Sequence, residues 1–411
     1  MRERPHADDW ASQTADLWRD CAGRSVPNAR TYSPTEQREN EEAYDEALQT
    51  VEADIERADE PGTRDRLIAS FARFSAKALG LDQESIDLLT SQFLPAGTQL
   101  AQWARRFDAD LSMASIIQAT RNAWTACGLQ PLLGVPMKLT PSILGYSLLY
   151  PYTDNYLDDE SISAEAKLWF SRRFRDRLAG QPLPPENDRE RAVWALIALV
   201  ESQYAREFYP QVFDCLLAIH GAQEQSIGQG SLGEADCLRI SCRKGGTSVL
   251  ADACLVRGSL DAMESRFAFE WGVLLQLGDD LQDLHDDMRR GSATLFSRAA
   301  ASCKPLDGLT VQLLNFSARV GERMDELPHG SASFKELLKM SWRSLIIRAV
   351  ADSHEFFSPW FLREAEQCSP FRFEFLRARS KRLANQEGLY AGLFNKFIEA
   401  PDHPQYSLEV T

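Results

Sequence analysis

Apolar residues recur at helical spacing along most of this chain and almost nowhere at the alternating spacing of a strand. From about residue 64 onward, Leu67, Ile68, Phe71, Phe74 and Leu79 form one stripe, and Leu111, Ala114, Ile117, Ala119, Trp124 and Leu129 form another. Such spacing gathers apolar side chains on one side of a helix. β-Branched runs joined by hairpin dipeptides are missing, and no repeat of fixed period appears. The pattern predicts an all-α fold built as one large helical bundle.

Individual helices can be placed. Thr140-Pro141 is a capping hydroxyl followed by proline at the first helical position. The helix it starts runs through Ile143, Leu144 and Leu148, with a kink expected at Pro151. Further helices are expected over 162–180 and 187–219, the second carrying Val193, Ile197, Val200, Tyr204 and Phe208 on one face. Glycine-rich breaks near 228–233 precede a helix from about 234, which Gly245-Gly246 should interrupt or end. A strong helix is expected from about 259 to 289, then others near 306–326, 332–357 and 370–386. Residues 1–34 are polar and proline-punctuated, and read as a loose extension. Residues 35–59 are rich in helix formers and acids and predict a solvent-facing helix. The expected organisation is an extension over 1–60, a helical domain over 61–400 and a tail over 401–411. The extension would cap the bundle or pack on the second subunit of a homodimer.

Composition narrows the partners. A net charge of −15 across 411 residues argues against nucleic acid. The eight cysteines form no CxxC pair and read as reduced core thiols. No signal peptide or membrane-length apolar run is found, so a soluble, cytoplasmic protein is expected.

Two stretches break the helical logic. Residues 149–160 read LYPYTDNYLDDE, with Asp154, Asp158 and Asp159 beside Leu148, Leu149 and Tyr152. Residues 271–291 read WGVLLQLGDDLQDLHDDMRRG. On one helix, Asp279, Asp280, Asp283 and Asp287 would project to one side over two turns. Crowded like charges repel and resist desolvation. They belong either on solvated outer faces, as in an acidic helical scaffold, or around a cation. Each cluster ends an apolar helix, and they lie about 125 residues apart, so they can face one another across a bundle. Oxygen-only ligands suit Mg²⁺, two or three ions here, shared with substrate phosphates. Arg243 and Lys244, just ahead of Gly245-Gly246, and Arg289 and Arg290, after the second cluster, would favour an anion. Arg172, Arg173 and Arg175 follow the first cluster, and His285 among the acids reads as solvated.

These residues resemble the class I isoprenoid synthases over about 64–390. Gln276-Leu-Gly-Asp279-Asp280-Leu-Gln-Asp283 looks like the second aspartate-rich motif, Q-x-x-D-D-x-x-D, of polyprenyl diphosphate synthases. Lys244, with Gly246 and Thr247, looks like their diphosphate-binding lysine. The segment beginning Asp154-Asn-Tyr-Leu-Asp158-Asp159 is similar to the D-x-x-x-D-D-x-[ST]-I motif of squalene synthases. Asp283 and Asp287 would be the second D-x-x-x-D of squalene and phytoene synthases, with Asp279 standing where those have Asn. No G-G-K-R-like segment precedes Asp154, and no N-D-x-x-S-x-x-x-E motif or nicotinamide fingerprint occurs.

The resemblance implies a bundle around a central apolar cavity, with Mg²⁺ held by the acids. Asp154, Asp158, Asp283 and Lys244 would serve catalysis, and Arg243, Lys244, Arg289, Arg290 and Gln276 would bind diphosphate. Phe170, Phe174, Trp194, Tyr204, Phe208, Phe267 and Trp271 are candidates to line the cavity and steady a carbocation. The expected activity is cyclisation of a prenyl diphosphate. The alternative is condensation, head-to-head or chain-elongating.

Overall fold

The computed structural model describes residues 7–23, 26–27, 30–56, 62–159, 161–226 and 233–385. Among the described residues the only regular structure is helical, and no helix is long and apolar enough to cross a membrane. The 401–411 tail and most of the 228–233 break lie outside these residues.

The N-terminal third differs from its sequence expectation. α1 (Ala7–Asp20) is not a loose extension, because Trp10, Ala11, Ala15 and Trp18 are buried in the main core. Trp18 meets Phe316 edge-on at 5.8 Å. α2 (Pro34–Glu56) lies against α3 (Thr63–Ala78). It is less solvent-facing than its acids suggest, since Gln37, Asn40 and Glu41 are buried. Gln37 donates to the carbonyls of Glu366 and Ser369, and Glu41 accepts from Arg372, so this helix grips the far end of the chain. α4 (Gln83–Leu88) and α5 (Leu94–Phe107) follow, then α6 (Met113–Leu132).

α7 (Pro141–Asp158) starts as expected, with the Thr140 hydroxyl accepting from the Ile143 amide, and Pro151 falls inside it without ending it. After α8 (Ala164–Leu178), the helix expected over 187–219 is two, α9 (Asp188–Gln203) and α10 (Pro210–Ser226). Pro210 explains the break: it has no N–H to give a preceding turn, and it disfavours helical geometry at Tyr209.

α11 (Glu234–Arg257) runs unbroken through Gly245-Gly246. The glycines serve packing instead. α12 (Ala262–Gln282) crosses α11 at this point, with Gly272 backbone against Gly245 and the Phe269 ring against Gly246. Neither site has room for a Cβ. α12 is buried nearly all round, as a helix at the centre of a bundle must be, with Phe267, Phe269, Val273 and Leu277 fully enclosed. The helix expected to continue to 289 stops at Asp283, whose φ −89°, ψ 11° separates α12 from α13 (Leu284–Arg290). α14 (Leu295–Ala301), α15 (Asp307–Asp325), α16 (Ala332–Asp352), α17 (Pro359–Gln367) and α18 (Phe373–Asn385) complete the chain. α11 is the hub: α1, α6, α7, α10, α12 and α14 all pack on it.

Candidate functional site

The interruption at Asp283 divides the second acidic cluster. Asp280 turns inward and is only 5% exposed. Its Oδ2 accepts from the Ser241 hydroxyl at 2.9 Å and its Oδ1 from the Gln276 amide at 2.8 Å. Burial pushes its carboxyl up to about 7. Asp279, Asp283 and Asp287 stay together on the outer side. Asp279 pairs at 3.4 Å with Arg121 of α6. Partial burial, and then the charge of Asp279, raises the Asp283 carboxyl. Asp287 is pushed up to about 6 by partial burial and then by Asp283. Burial leads in both shifts, and the neighbouring acids add to it. Arg289 is paired with Asp286 in its own helix, and Arg290 is exposed beside it.

On α7, Asp154 is half-buried. The Gln223 amide of α10 donates to its two oxygens at 2.9 and 3.0 Å, and the Thr153 hydroxyl donates at 3.1 Å. Asp158 ends the helix, but its side chain lies outside the described residues. Asp159 has a local role. Its Oδ1 accepts from the Ser161 hydroxyl and amide, which hold its carboxyl below the usual range.

Between the clusters lies a polar face of α11. Lys244, Ser248 and Asp252 are spaced i, i+4, i+8 and share one side of the helix. Ser248 meets the Tyr150 hydroxyl at 2.9 Å. Asn122 of α6 donates to Asp252 Oδ1 at 3.3 Å and to the Ser147 hydroxyl at 3.1 Å. Asp252 is 1% exposed, its Oδ2 has no partner, and burial drives its carboxyl well above the ordinary range. Arg121 and Asn122 are consecutive, so α6 touches Asp279 on one side and the α7–α11 network on the other. Sequence reasoning missed Arg121, Asn122, Tyr146, Tyr150, His220, Gln223 and Asp252. A lone acid inside the apolar run SVLADACLV was the visible signal for Asp252.

Other candidates separate from this site. Arg243 points to α1, where it pairs with Asp8 at 2.8 Å. Gln276 holds Asp280 and is thereby tied to structure. Arg173 binds Glu190 and Glu186 in a largely buried pair rather than on an outer face, and the exposed Arg175 lies 3.4 Å from Glu224. His285 lies 3.4 Å from Glu355. Phe208 cannot line a cavity, because it sits in the turn before Pro210 with 77% of its surface exposed. Phe267 and Trp271 pack together at 5.5 Å in the core, and Trp194 donates to the Leu183 carbonyl. Tyr204 donates to the Leu255 carbonyl. Phe170 and Phe174 stack at 5.9 Å, and Phe174 lines a cavity below Asp154 with Tyr146, Leu149, Tyr150 and His220. That cavity holds about 20 Å³, room for a water and not for a hydrocarbon.

Among the described residues, no three His, Cys, Asp or Glu side chains converge tightly enough to enclose an ion on their own. The donor set is nevertheless all carboxylate, and Asp279, Asp283 and Asp287 lie close enough to act on one another, which suits a hard cation sharing its shell with water and phosphate. The chain matches no known protein family and shows no significant similarity to any curated protein.

Proposed function

We propose that this chain is a class I terpene synthase that ionises a linear prenyl diphosphate and cyclises the resulting carbocation. The observation that carries the reading is the grouping of Asp279, Asp283 and Asp287, in which partial burial and then the neighbouring acids raise the Asp283 and Asp287 carboxyls. Asp279, Asp283 and Asp287, with Asp154 of α7, would hold Mg²⁺. Bound there, the ions would neutralise charge on the departing diphosphate. Asp280 falls outside this set because Ser241 and Gln276 occupy both its oxygens.

The chain's own residues supply the rest. Lys244, for which no ion pair is found among the described residues, places a mobile ammonium one turn above Ser248 and can take up leaving-group charge. Arg121, largely exposed and only loosely paired with Asp279, is a second donor for the diphosphate. Phe174 presents an aromatic wall beside Asp154, where a cation would be favoured. Admitting a prenyl chain requires α7, α8 and α10 to part around the small cavity they now enclose. Buried thiols such as Cys127 and Cys242 are in keeping with a reducing, cytoplasmic setting.

The test is product analysis. Purified protein is incubated with Mg²⁺ and C10 to C25 prenyl diphosphates, with and without isopentenyl diphosphate, and the organic extract is analysed. Cyclic products from a single diphosphate are expected. Longer linear diphosphates or doubled chains would replace the reading with a condensing enzyme. No release of diphosphate from any substrate would leave an acidic helical scaffold. Asp154→Ala and Asp283→Ala should each abolish turnover, by at least about 10²-fold, while circular dichroism shows the helices intact. Full activity in either variant would remove that residue from the site.

A further inference from the structure

α10 and α11 pack side by side, and one pair of side chains between them has a chemistry that packing alone does not need. Cys215 of α10 and Cys254 of α11 are both buried, and both are reduced in this structure. Their Sγ atoms meet at 3.2 Å. A buried cysteine on its own behaves as a small apolar side chain. Two whose sulfurs meet are also one oxidation away from a covalent bond. A disulfide holds its sulfurs ~2.05 Å apart, so an approach of about 1 Å, shared between two side chains, closes this one.

The pair sits on a helix that matters to the site. Cys215 precedes Gln223 by about two helical turns, and the Gln223 amide donates to both oxygens of Asp154. Leu216 and Ile219, between them, line the small cavity below Asp154. The hold of α10 on α11 is noncovalent here. Gln211, near the start of α10, accepts from the Leu260 amide beyond the end of α11, and Val212 and Leu216 are buried along the helix. Such contacts can give way when a ligand enters, whereas a covalent link cannot.

We propose that Cys215 and Cys254 are a redox modification site, joined by hydrogen peroxide into a disulfide that fastens α10 to α11 and keeps the cavity closed. The lock rests on the reading above; the cross-link does not. Cys215 is 6% exposed and Cys254 is fully enclosed, so the oxidant meets Cys215 first. The Cys215 thiolate attacks one peroxide oxygen, the O–O bond breaks, and with the thiol proton the products are a sulfenic acid and one water. The Cys254 sulfur then attacks the Cys215 sulfur. The S–S bond forms, the S–O bond breaks, and hydroxide leaves with the Cys254 proton as a second water. Two electrons pass from the sulfurs to the peroxide. Because the second thiol is already in place, that step is intramolecular and outruns further oxidation. A thiol reductant reverses the bond.

The experiment treats the folded full chain with hydrogen peroxide, blocks the remaining thiols with N-ethylmaleimide before and during denaturation, and maps the peptides by mass spectrometry without reduction. A single peptide pair joined through Cys215 and Cys254, two hydrogen atoms lighter than its parts, is expected, and dithiothreitol should separate it. Cys215→Ala should give no such pair; Cys254→Ala is the second variant if the first folds poorly. Both thiols recovered blocked or unreacted from oxidised wild type, or either one joined to a different cysteine, would overturn the site. The second arm measures diphosphate release with Mg²⁺ and the C10 to C25 prenyl diphosphates. Oxidised wild type should turn over at least about 10-fold more slowly than reduced, with recovery in dithiothreitol, and Cys215→Ala should resist peroxide. Reversal by dithiothreitol separates this loss from methionine oxidation, which that reagent leaves in place. A cross-link with turnover unchanged would overturn the lock. No turnover from the reduced protein with any diphosphate would remove the parent reading and the lock with it, while the peptide map still decides the cross-link.

Discussion

Asp279 and Asp280 are neighbours in the chain with opposite surroundings. One meets solvent and Arg121, while the other is sealed between α11 and α12 with both oxygens hydrogen-bonded. The folded Asp280 carboxyl keeps its proton up to about 7, whereas its ordinary value is 3.8. Between those values the folded state binds more protons than the unfolded state, so this group's contribution to stability falls as pH rises through that window. Asp280→Asn removes the effect. Urea denaturation should show the variant gaining on wild type from pH 4 to pH 7 and holding a constant advantage above it. Turnover should survive in this variant. A flat difference across the window would mean that Asp280 is ionised in the folded protein. The sequence reads all four acids of this cluster alike, because spacing along a helix says which side chains share a face and not which one meets a hydroxyl on the next helix. Ser241 and the stop at Asp283 decide that, and both are tertiary facts. Asp154 was visible in the sequence for the reverse reason: a carboxylate beside Leu148 and Leu149 conflicts with its neighbours at the level of the chain itself.

At the scale of elements, the α11–α12 crossing is the closest approach that bears on the site. Gly245 and Gly272 lie backbone to backbone, so the helices carrying Lys244 and the acids sit nearer each other than side chains would permit. Gly245→Ala should force them apart and cost about 1–3 kcal/mol in a urea melt, despite alanine's better helix propensity. A stabilised variant would mean that the helices can adjust freely. The glycine pair shows why helix existence was legible and helix junctions were not. In a sequence, Gly-Gly signals a broken helix, because glycine costs backbone entropy there. Tertiary packing outweighs that cost when the missing Cβ is what lets a neighbour in. Pro210 is the converse case, a readable break hidden inside a continuous apolar stripe.

For the molecule as a whole, the all-α class and most helix spans follow from apolar period alone, since that period reports burial against neighbours. The docking of the first helix did not follow, because α1 has a polar composition and places its few large apolar groups, Trp10 and Trp18, on one side. Trp18 is held by its contact with Phe316, and its carbonyl accepts from Gln312. Trp18→Ala should therefore cost about 3–5 kcal/mol in urea denaturation, as for a core tryptophan. A cost below 1 kcal/mol would return α1 to the status of an appendage. Its position also sets a timetable. Gln312, which donates to the Trp18 carbonyl, lies 294 residues further along the chain. At ~5–20 residues per second, a ribosome needs about 15 to 60 s to deliver it. α11, on which α1 also packs, is delivered earlier but α15 is not, so α1 is made long before its seat is complete.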